Sequence, residues 1–172
     1  LAILGHLKSI KTSQRNEVLV GSTEHKCVLE ANRRLSDVSA VALRFLPVNT
    51  EGICDLNFLE EQISEKTYLV SLMLVNNEIG SINDIKSAYG ICKKNGVFLH
   101  CDASQAPTTM DVSWLADYAD SISVSGHKMY APMGVGALII SPSLNSVLSP
   151  IMFGGGQERG LRSGTLPVPL CV

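Results

Sequence analysis

Short apolar runs alternate with amphipathic segments along most of the 172-residue chain. Leu1, Leu4, Leu7 and Ile10 recur at helical spacing, which predicts the end of an amphipathic helix. The apolar run over 68–75 is continuous, as in strands that are buried on both faces of a parallel sheet. Other strands are predicted over 17–20, 41–48, 97–101, 121–124 and 136–140, and helices over 25–35, 55–65, 84–94 and 112–116. This alternation predicts an α/β layer fold with a largely parallel sheet.

Composition and charge indicate one ordinary globular core. The chain is 45% hydrophobic and 17% charged, and its length suits one substantial core better than two. A net charge of -2 without a run of lysine or arginine gives no sign of a nucleic-acid or membrane partner. No apolar run approaches the roughly 18 residues of a membrane-spanning helix. The five scattered cysteines contain no C-x-x-C, which argues against disulfides or a zinc knuckle and favours a reducing compartment.

Polar groups gather directly after three of the predicted strands. These segments are Asn76-Asn77-Glu78, Asp102-Ala103-Ser104-Gln105 and Ser125-Gly126-His127-Lys128. Because the carboxyl ends of parallel strands lie along one edge, where ligands bind, we expect the three segments to converge on one crevice.

The polar groups at these strand ends are of the types that pyridoxal phosphate requires. A lysine that leaves a buried strand beside an imidazole, as Lys128 does, can lose its charge through desolvation and act as a Schiff-base nucleophile. The cofactor also needs a carboxylate for its pyridine nitrogen and donors for its phosphate. Asp102, Ser125 and His127 supply these groups. On the residues alone, pyridoxal phosphate is one option among several.

A metal-dependent hydrolase is the rival interpretation. His100 and Asp102 lie two apart on a strand and face the same side, and His25 and His127 could complete a zinc or iron site. Their spacing matches no metal signature, and His100 is more typical of a core histidine, so no metal site is predicted. Neither G-x-G-x-x-G nor G-x-x-x-x-G-K-[ST] occurs, which argues against a nucleotide-binding enzyme.

Five motifs occur in a fixed order and together resemble one enzyme family. They are TEH at 23–25, VNNEIG at 75–80, HCDASQ at 100–105, SGHKMY at 125–130 and GGGQERGLRSGT at 154–165. The set resembles the cysteine desulfurases that serve iron–sulfur cluster assembly and tRNA thiolation, over essentially the whole chain. The resemblance implies a fold-type I pyridoxal-phosphate transferase large domain with a mostly parallel sheet. It also implies a homodimer.

The implied reaction removes sulfur from L-cysteine, leaving L-alanine and a persulfide on an enzyme cysteine. The sulfur would then pass to an iron–sulfur scaffold or another acceptor protein. We expect this to happen in the cytoplasm or, alternatively, in the mitochondrial matrix. Selenocysteine lyase, which shares the cofactor machinery, and a catalytically inactive fragment remain alternatives.

The resemblance assigns a role to each candidate residue. It implies that Lys128 holds the cofactor covalently, while His25 stacks on the pyridine ring and takes part in proton transfer. Asp102 corresponds to the carboxylate that keeps the pyridine nitrogen protonated. The other implied cofactor contacts are Asn77 and Gln105 at the phenolic edge, Ser125 and His127 at the phosphate, and Thr165, which the partner subunit would donate to the phosphate.

The resemblance also describes residues 1–172 as an incomplete large domain. An N-terminal segment with a further phosphate contact is expected to precede it. A C-terminal small domain is expected to carry the sulfur-accepting cysteine and the arginine that binds the substrate carboxylate. Cys101 and Met133 depart from the family pattern, and nothing marks Cys101 as a sulfur acceptor. The chain alone is therefore expected to be inactive.

Overall fold

A computed structural model describes residues 1–171 and shows a six-stranded sheet with helices on both faces. The strands are β1 (Glu17–Gly21), β2 (Ala42–Leu46), β3 (Thr67–Ser71), β4 (Phe98–Asp102), β5 (Ser121–Ser125) and β6 (Gly136–Ile140). The α-helices are α1 (Leu7–Thr12), α2 (Lys26–Ser39), α3 (Leu56–Gln62), α4 (Ile85–Lys94) and α5 (Val168–Cys171). Short 3-10 helices span Leu4–His6, Ser113–Asp117, Gly126–Lys128, Pro142–Ser146 and Glu158–Gly160.

The strand order is β2-β1-β3-β4-β5-β6, and β1 to β5 are all parallel to their neighbours. This confirms the predicted α/β fold with a mostly parallel sheet. β6 alone of the six pairs antiparallel, with β5. The order reverses between β1 and β3, because the chain first moves outward to β2 and then returns across β1 to β3. Such a topological switch point is where open α/β sheets bind their ligands.

Two apolar layers cover the sheet, one on each face. Alternation along β1 directs Leu19 toward the layer that α3 and α4 cover, and Val18 and Val20 toward the layer of α1 and α2. Leu69 and Val70 divide between the two layers in the same way along β3. Burial on both faces explains why β3 is continuously apolar in sequence.

Local sequence signals mark the starts of two helices correctly. Asp55 accepts hydrogen bonds from the N–H groups of Asn57 and Phe58 at 3.0 and 3.1 Å and caps α3. Asp84 accepts one from the N–H of Ser87 at 3.0 Å and caps α4. A side-chain acceptor at this position satisfies an N–H group that has no partner inside the helix.

The predicted limits of three elements differ from the observed ones by three or more residues. α3 ends at Gln62, before the predicted residue 65, and α2 runs on to Ser39, where Ala40 turns into the left-handed region. β3 ends at Ser71, whereas the apolar run predicted a strand to residue 75. Beyond that point the chain still bonds to β4, since the Leu72 N–H donates to the His100 carbonyl at 3.0 Å, but it has separated from β1.

Two further expectations concern the glycine-rich segment and the cysteines. The segment over 154–165 is an ordered loop as predicted, since the Gly164 N–H donates to Oε1 of Gln157 at 2.9 Å. All five cysteines are free thiols.

Across residues 1–171, none of the helices is long and apolar enough to cross a membrane.

Candidate functional site

The predicted site residues lie on loops at the carboxyl ends of four neighbouring strands. His25 follows β1, and Asn77 follows β3. Asp102 is the last residue of β4, and Gln105 lies on the loop after it. Ser125 is the last residue of β5, and it is followed by His127 and Lys128. Because these strands are parallel and adjacent, their ends meet at one edge of the sheet. The sheet order thus brings the three expected segments to one edge and adds the loop after β1.

A cavity of about 420 Å³ opens at the switch point between β1 and β3. Its walls are the loops over 22–26 and 76–79, which include His25 and Asn77. This volume lies within the range of small-molecule sites in proteins.

His25 stands at the start of α2, where its side chain serves as the N-cap. Its Nδ1 accepts the backbone N–H of Cys27 at 3.3 Å and lies 3.0 Å from the Cys27 Sγ. Burial raises the pKa of the Cys27 thiol, and the charge of Asp102 raises it further. The thiol therefore keeps its proton and lies within hydrogen-bond distance of Nδ1.

Glu24 is buried beside the same cavity, with a side chain only 5% exposed. Its Oε1 accepts the N–H of Met73, and within the described residues its Oε2 has no hydrogen-bond partner. Burial raises the pKa of this carboxyl to about 8, and the charge of Asp102 acts in the same direction. Glu24 belongs to the TEH motif, but the family resemblance implies no role for it. The available signal was an acidic residue three positions after a buried strand.

Asp102 ends β4 in a rigid, buried position. Its Oδ1 accepts the N–H of Ser104 at 2.9 Å, and its carbonyl accepts the N–H of Leu74 at 2.9 Å. On the other side, the Ala103 N–H donates to the Ser123 carbonyl at 3.0 Å. The backbone at Asp102 is thus held between the extension of β3 and β5, and it places the carboxylate at the edge that carries the other candidate residues.

A tight turn after β5 carries His127 and Lys128, which are both exposed. The Gly126 N–H donates to the Val135 carbonyl at 2.9 Å. A Cβ at position 126 would lie 2.6 Å from Val135 Cγ2 and 2.9 Å from that carbonyl oxygen. Glycine is therefore required at position 126, because the turn brings its backbone into close contact with Val135. Ser125, just before it, is half-buried.

The histidines and Asp102 of the metal hypothesis are not gathered into a cluster. His100 is buried in the core, with its Nδ1 2.9 Å from the Ser121 Oγ, as expected of a core histidine. Across residues 1–171 the structure has no group of three or more histidine, cysteine, aspartate or glutamate side chains that could hold a metal ion.

Thr165 and Gln105 are the remaining predicted residues. Gln105 is half-buried on the loop after β4. Thr165 is exposed, next to a loop that is ordered by its own contacts, such as the Gly156 N–H to the Ser163 Oγ at 3.3 Å. No hydrogen bond among the described residues joins this loop to the loops after β3, β4 and β5.

The donor set at the sheet edge fits pyridoxal phosphate. Lys128 supplies an exposed amine, Asp102 a buried carboxylate and His25 an imidazole, while Ser125 and His127 supply hydroxyl and imidazole groups for a phosphate. These are the groups through which proteins hold this cofactor. The cavity beside His25 has room for a small aromatic ligand.

The fold is that of the large domain of fold-type I pyridoxal-phosphate proteins, and these groups fit the cofactor of that class. The sequence profile of the aminotransferase class-V family matches residues 1–169, and the chain belongs to this family.

Individual relatives carry more specific names. The cysteine desulfurase IscS of Ehrlichia chaffeensis is 46% identical over 173 residues, across this whole chain and 42% of the relative. Among solved structures, a NifS-like protein matches with a TM-score of 0.91 and 34% identity, over 98% of this chain and 46% of that chain. SspA in complex with cysteine matches with a TM-score of 0.90 and 34% identity, over 98% of this chain and 48% of that chain. The chain thus spans less than half of the length of each.

Proposed function

We propose that the protein containing this chain is a pyridoxal-phosphate-dependent cysteine desulfurase that converts L-cysteine to L-alanine and transfers the sulfur to an enzyme cysteine. The observation that carries the proposal is the convergence of Lys128, Asp102 and His25 at the switch-point edge of the sheet. The names of the relatives support it, as does the cysteine bound to SspA. Residues 1–172 would form the large, cofactor-binding domain, and the remainder of the protein would supply the sulfur-accepting cysteine.

Each residue at the edge has a task that follows from its chemistry. When bound, the cofactor supplies an electron sink for the substrate carbon. Lys128 anchors it through its amine, and the carboxylate of Asp102 favours a positive charge on the ring nitrogen. Asn77 and Gln105 would contact its phenolic edge, as the family resemblance implies, and Ser125 and His127 would donate to its phosphate.

His25 exchanges a proton at one defined nitrogen in this proposal. Its Nδ1 is engaged by the N–H and thiol of Cys27, at 3.3 and 3.0 Å. The Nε2 atom is therefore the nitrogen left to hold or release a proton.

A homodimer in which Thr165 completes the partner's site is part of the same proposal. It is supported by the internally ordered loop beside Thr165, and a two-fold interface would exchange this loop between both subunits. Mixing T165A with K128A subunits should restore activity, because half of the sites in a mixed dimer would be intact. Confirmed subunit exchange without any recovery would contradict the exchange of Thr165.

We propose an iron–sulfur scaffold or a tRNA-thiolation protein as the acceptor, in the cytoplasm or the mitochondrial matrix. The free state of all five cysteines supports such a reducing compartment. Residues 1–172 alone should release no sulfide above the free-cofactor background.

The proposed activity is tested by measuring sulfide and alanine from L-cysteine with the full-length protein. The wild type should form both products, and K128A should form neither above background. Lys66 offers a matched control, because it is an exposed lysine directly before β3, at the opposite edge of the sheet. K66A should retain activity. Equal product formation by K128A and wild type would contradict the proposal.

A further inference from the structure

We propose that Glu24 is a positioning residue of the candidate site, a buried neutral carboxylic acid that ties the turn before His25 to the end of β3 and leaves the negative charge on Asp102. The inference rests on the proposed function only for the roles of His25 and Asp102. Glu24 is not among the residues proposed above to contact the cofactor.

The first line of support is the hydrogen bond that Glu24 makes across the switch point. β1 and β3 pair as far as Val20 and Ser71, and the chain after β1 then turns away. The Met73 N–H has thereby lost a strand partner on that side, and Oε1 of Glu24 accepts it. A side chain thus replaces the missing backbone acceptor and joins the cavity wall over 22–26 to the segment that directly follows β3.

The space around Gly21 supports the same role. A Cβ at position 21 would lie 3.3 Å from Oε1 of Glu24 and 3.2 Å from Cδ1 of Leu72, which is tighter than ordinary packing. The Glu24 N–H also donates to the Gly21 carbonyl at 3.2 Å. Glycine at the end of β1 therefore leaves room for the carboxyl group to fold back against the sheet.

The second line of support is the unpartnered oxygen. Oε2 of Glu24 is buried and has no hydrogen-bond partner in the part of the chain that the structure describes. An ionised carboxylate in that position would be strongly destabilising, whereas a neutral acid would cost much less.

The charged and titratable neighbours of Glu24 favour the same protonation state. Burial raises the pKa of Glu24 to about 8, Asp102 at the end of β4 raises it, and the Met73 N–H opposes them. Glu24 in turn acts on the thiols of Cys27, Cys54 and Cys101. Asp102 and the three thiols are therefore the four neighbouring groups, and none of them is a cation that would stabilise a carboxylate at Glu24.

The protonation state is tested by unfolding the wild type and E24Q in urea across a range of pH. An unfolded Glu24 ionises above about 4.5, while the folded protein keeps the proton until about 8. As the pH rises through this window, the wild type should lose stability relative to E24Q, by about tenfold in the ratio of their unfolding constants per pH unit. Glu78, an exposed acid on the wall of the same cavity, gives the control: the ratio for E78Q should stay constant. A constant ratio for E24Q as well would overturn the proposal.

The positioning role is tested by the binding of pyridoxal phosphate and the visible circular dichroism of the loaded protein. E24Q keeps an acceptor for Met73 and should match the wild type at neutral pH. E24A should bind the cofactor more weakly by about tenfold and change its dichroism, since the Met73 N–H loses its partner. If E24A binds and orients the cofactor as the wild type does, Glu24 is not a positioning residue. If the wild type binds no cofactor, the proposed function fails, while the unfolding ratio still decides the protonation of Glu24.

Discussion

The Nδ1 of His25 lies 3.0 Å from the Sγ of Cys27 and accepts the backbone N–H of the same residue at 3.3 Å. Both contacts occur at the first turn of α2, where the loop from β1 meets the cavity. One nitrogen of the imidazole is therefore held by the protein, and the other has no hydrogen-bond partner among the described residues.

The reactivity of Cys27 should depend on the charge of Asp102. Cys27 is an exposed residue, but partial burial of its thiol and the Asp102 carboxylate both raise the pKa of that thiol, so it should alkylate slowly near pH ~8. D102N removes one of these causes and should speed the reaction, as measured by mass spectrometry of the alkylated peptide. Cys171, which is exposed on α5, provides an internal control whose rate should not change. An unchanged rate at Cys27 in D102N would show that the carboxylate does not act on it.

Asp102→Asn should also separate cofactor binding from turnover. The variant keeps the shape of the side chain and can still accept the Ser104 N–H. It loses the charge that favours a protonated ring nitrogen, so turnover should fall by orders of magnitude while the cofactor stays bound. D117N, at an exposed aspartate, should behave as the wild type. Near-normal turnover in D102N would argue against the role of the carboxylate.

Two buried histidines should make the fold sensitive to acid. Burial lowers the pKa of His6 to about 4 and that of His100 to about 4, and the charge of His100 also disfavours a charge on His6. Because the unfolded chain takes up protons below about pH 6.5, each histidine should lower the stability by about 2 kcal/mol as the pH drops from about 7 to about 5. The loss is measured in E24Q, because the buried Glu24 of the wild type titrates with the opposite sign over the same pH range. Urea unfolding at the two pH values measures this loss.

His6→Phe is the variant that isolates one of these histidines. Its ring packs 5.4 Å from Tyr68 and 5.7 Å from Phe98, so phenylalanine should fit the site. In the E24Q background, H6F should lose roughly half as much stability in acid as the protein that keeps His6. The same acid loss in both proteins would show that His6 does not stay neutral in the fold.

The parts of the fold that follow from nearby residues could be predicted from the sequence. Asp55 and Asp84 indicate where α3 and α4 begin, because the capping hydrogen bonds span only a few residues. The buried strand β3 is visible as a continuous apolar run. Its end at Ser71 could not be predicted, because it depends on where β1, some fifty positions earlier, turns away. The antiparallel direction of β6 depends on the turn around Gly126 in the same way.

The candidate site likewise contains residues that the sequence indicates and residues that only the fold brings together. The residue types at the strand ends and the order of the motifs are enough to indicate Lys128, Asp102 and His25. Glu24 was missed, because its burial and its bond to Met73 arise only when the loops after β1 and β3 meet. Cys27 was missed as a partner of His25 because two residues at i and i+2 interact only in the particular geometry of a helix start.

Reductive trapping of the loaded protein tests the central claim most directly. Borohydride treatment followed by peptide mapping should locate a pyridoxal-phosphate adduct on Lys128, and K128A should yield no trapped adduct. K66A should give the same adduct on Lys128 as the wild type. An adduct on any other lysine, or none in a protein that turns over cysteine, would contradict the assignment of Lys128 and the site built around it.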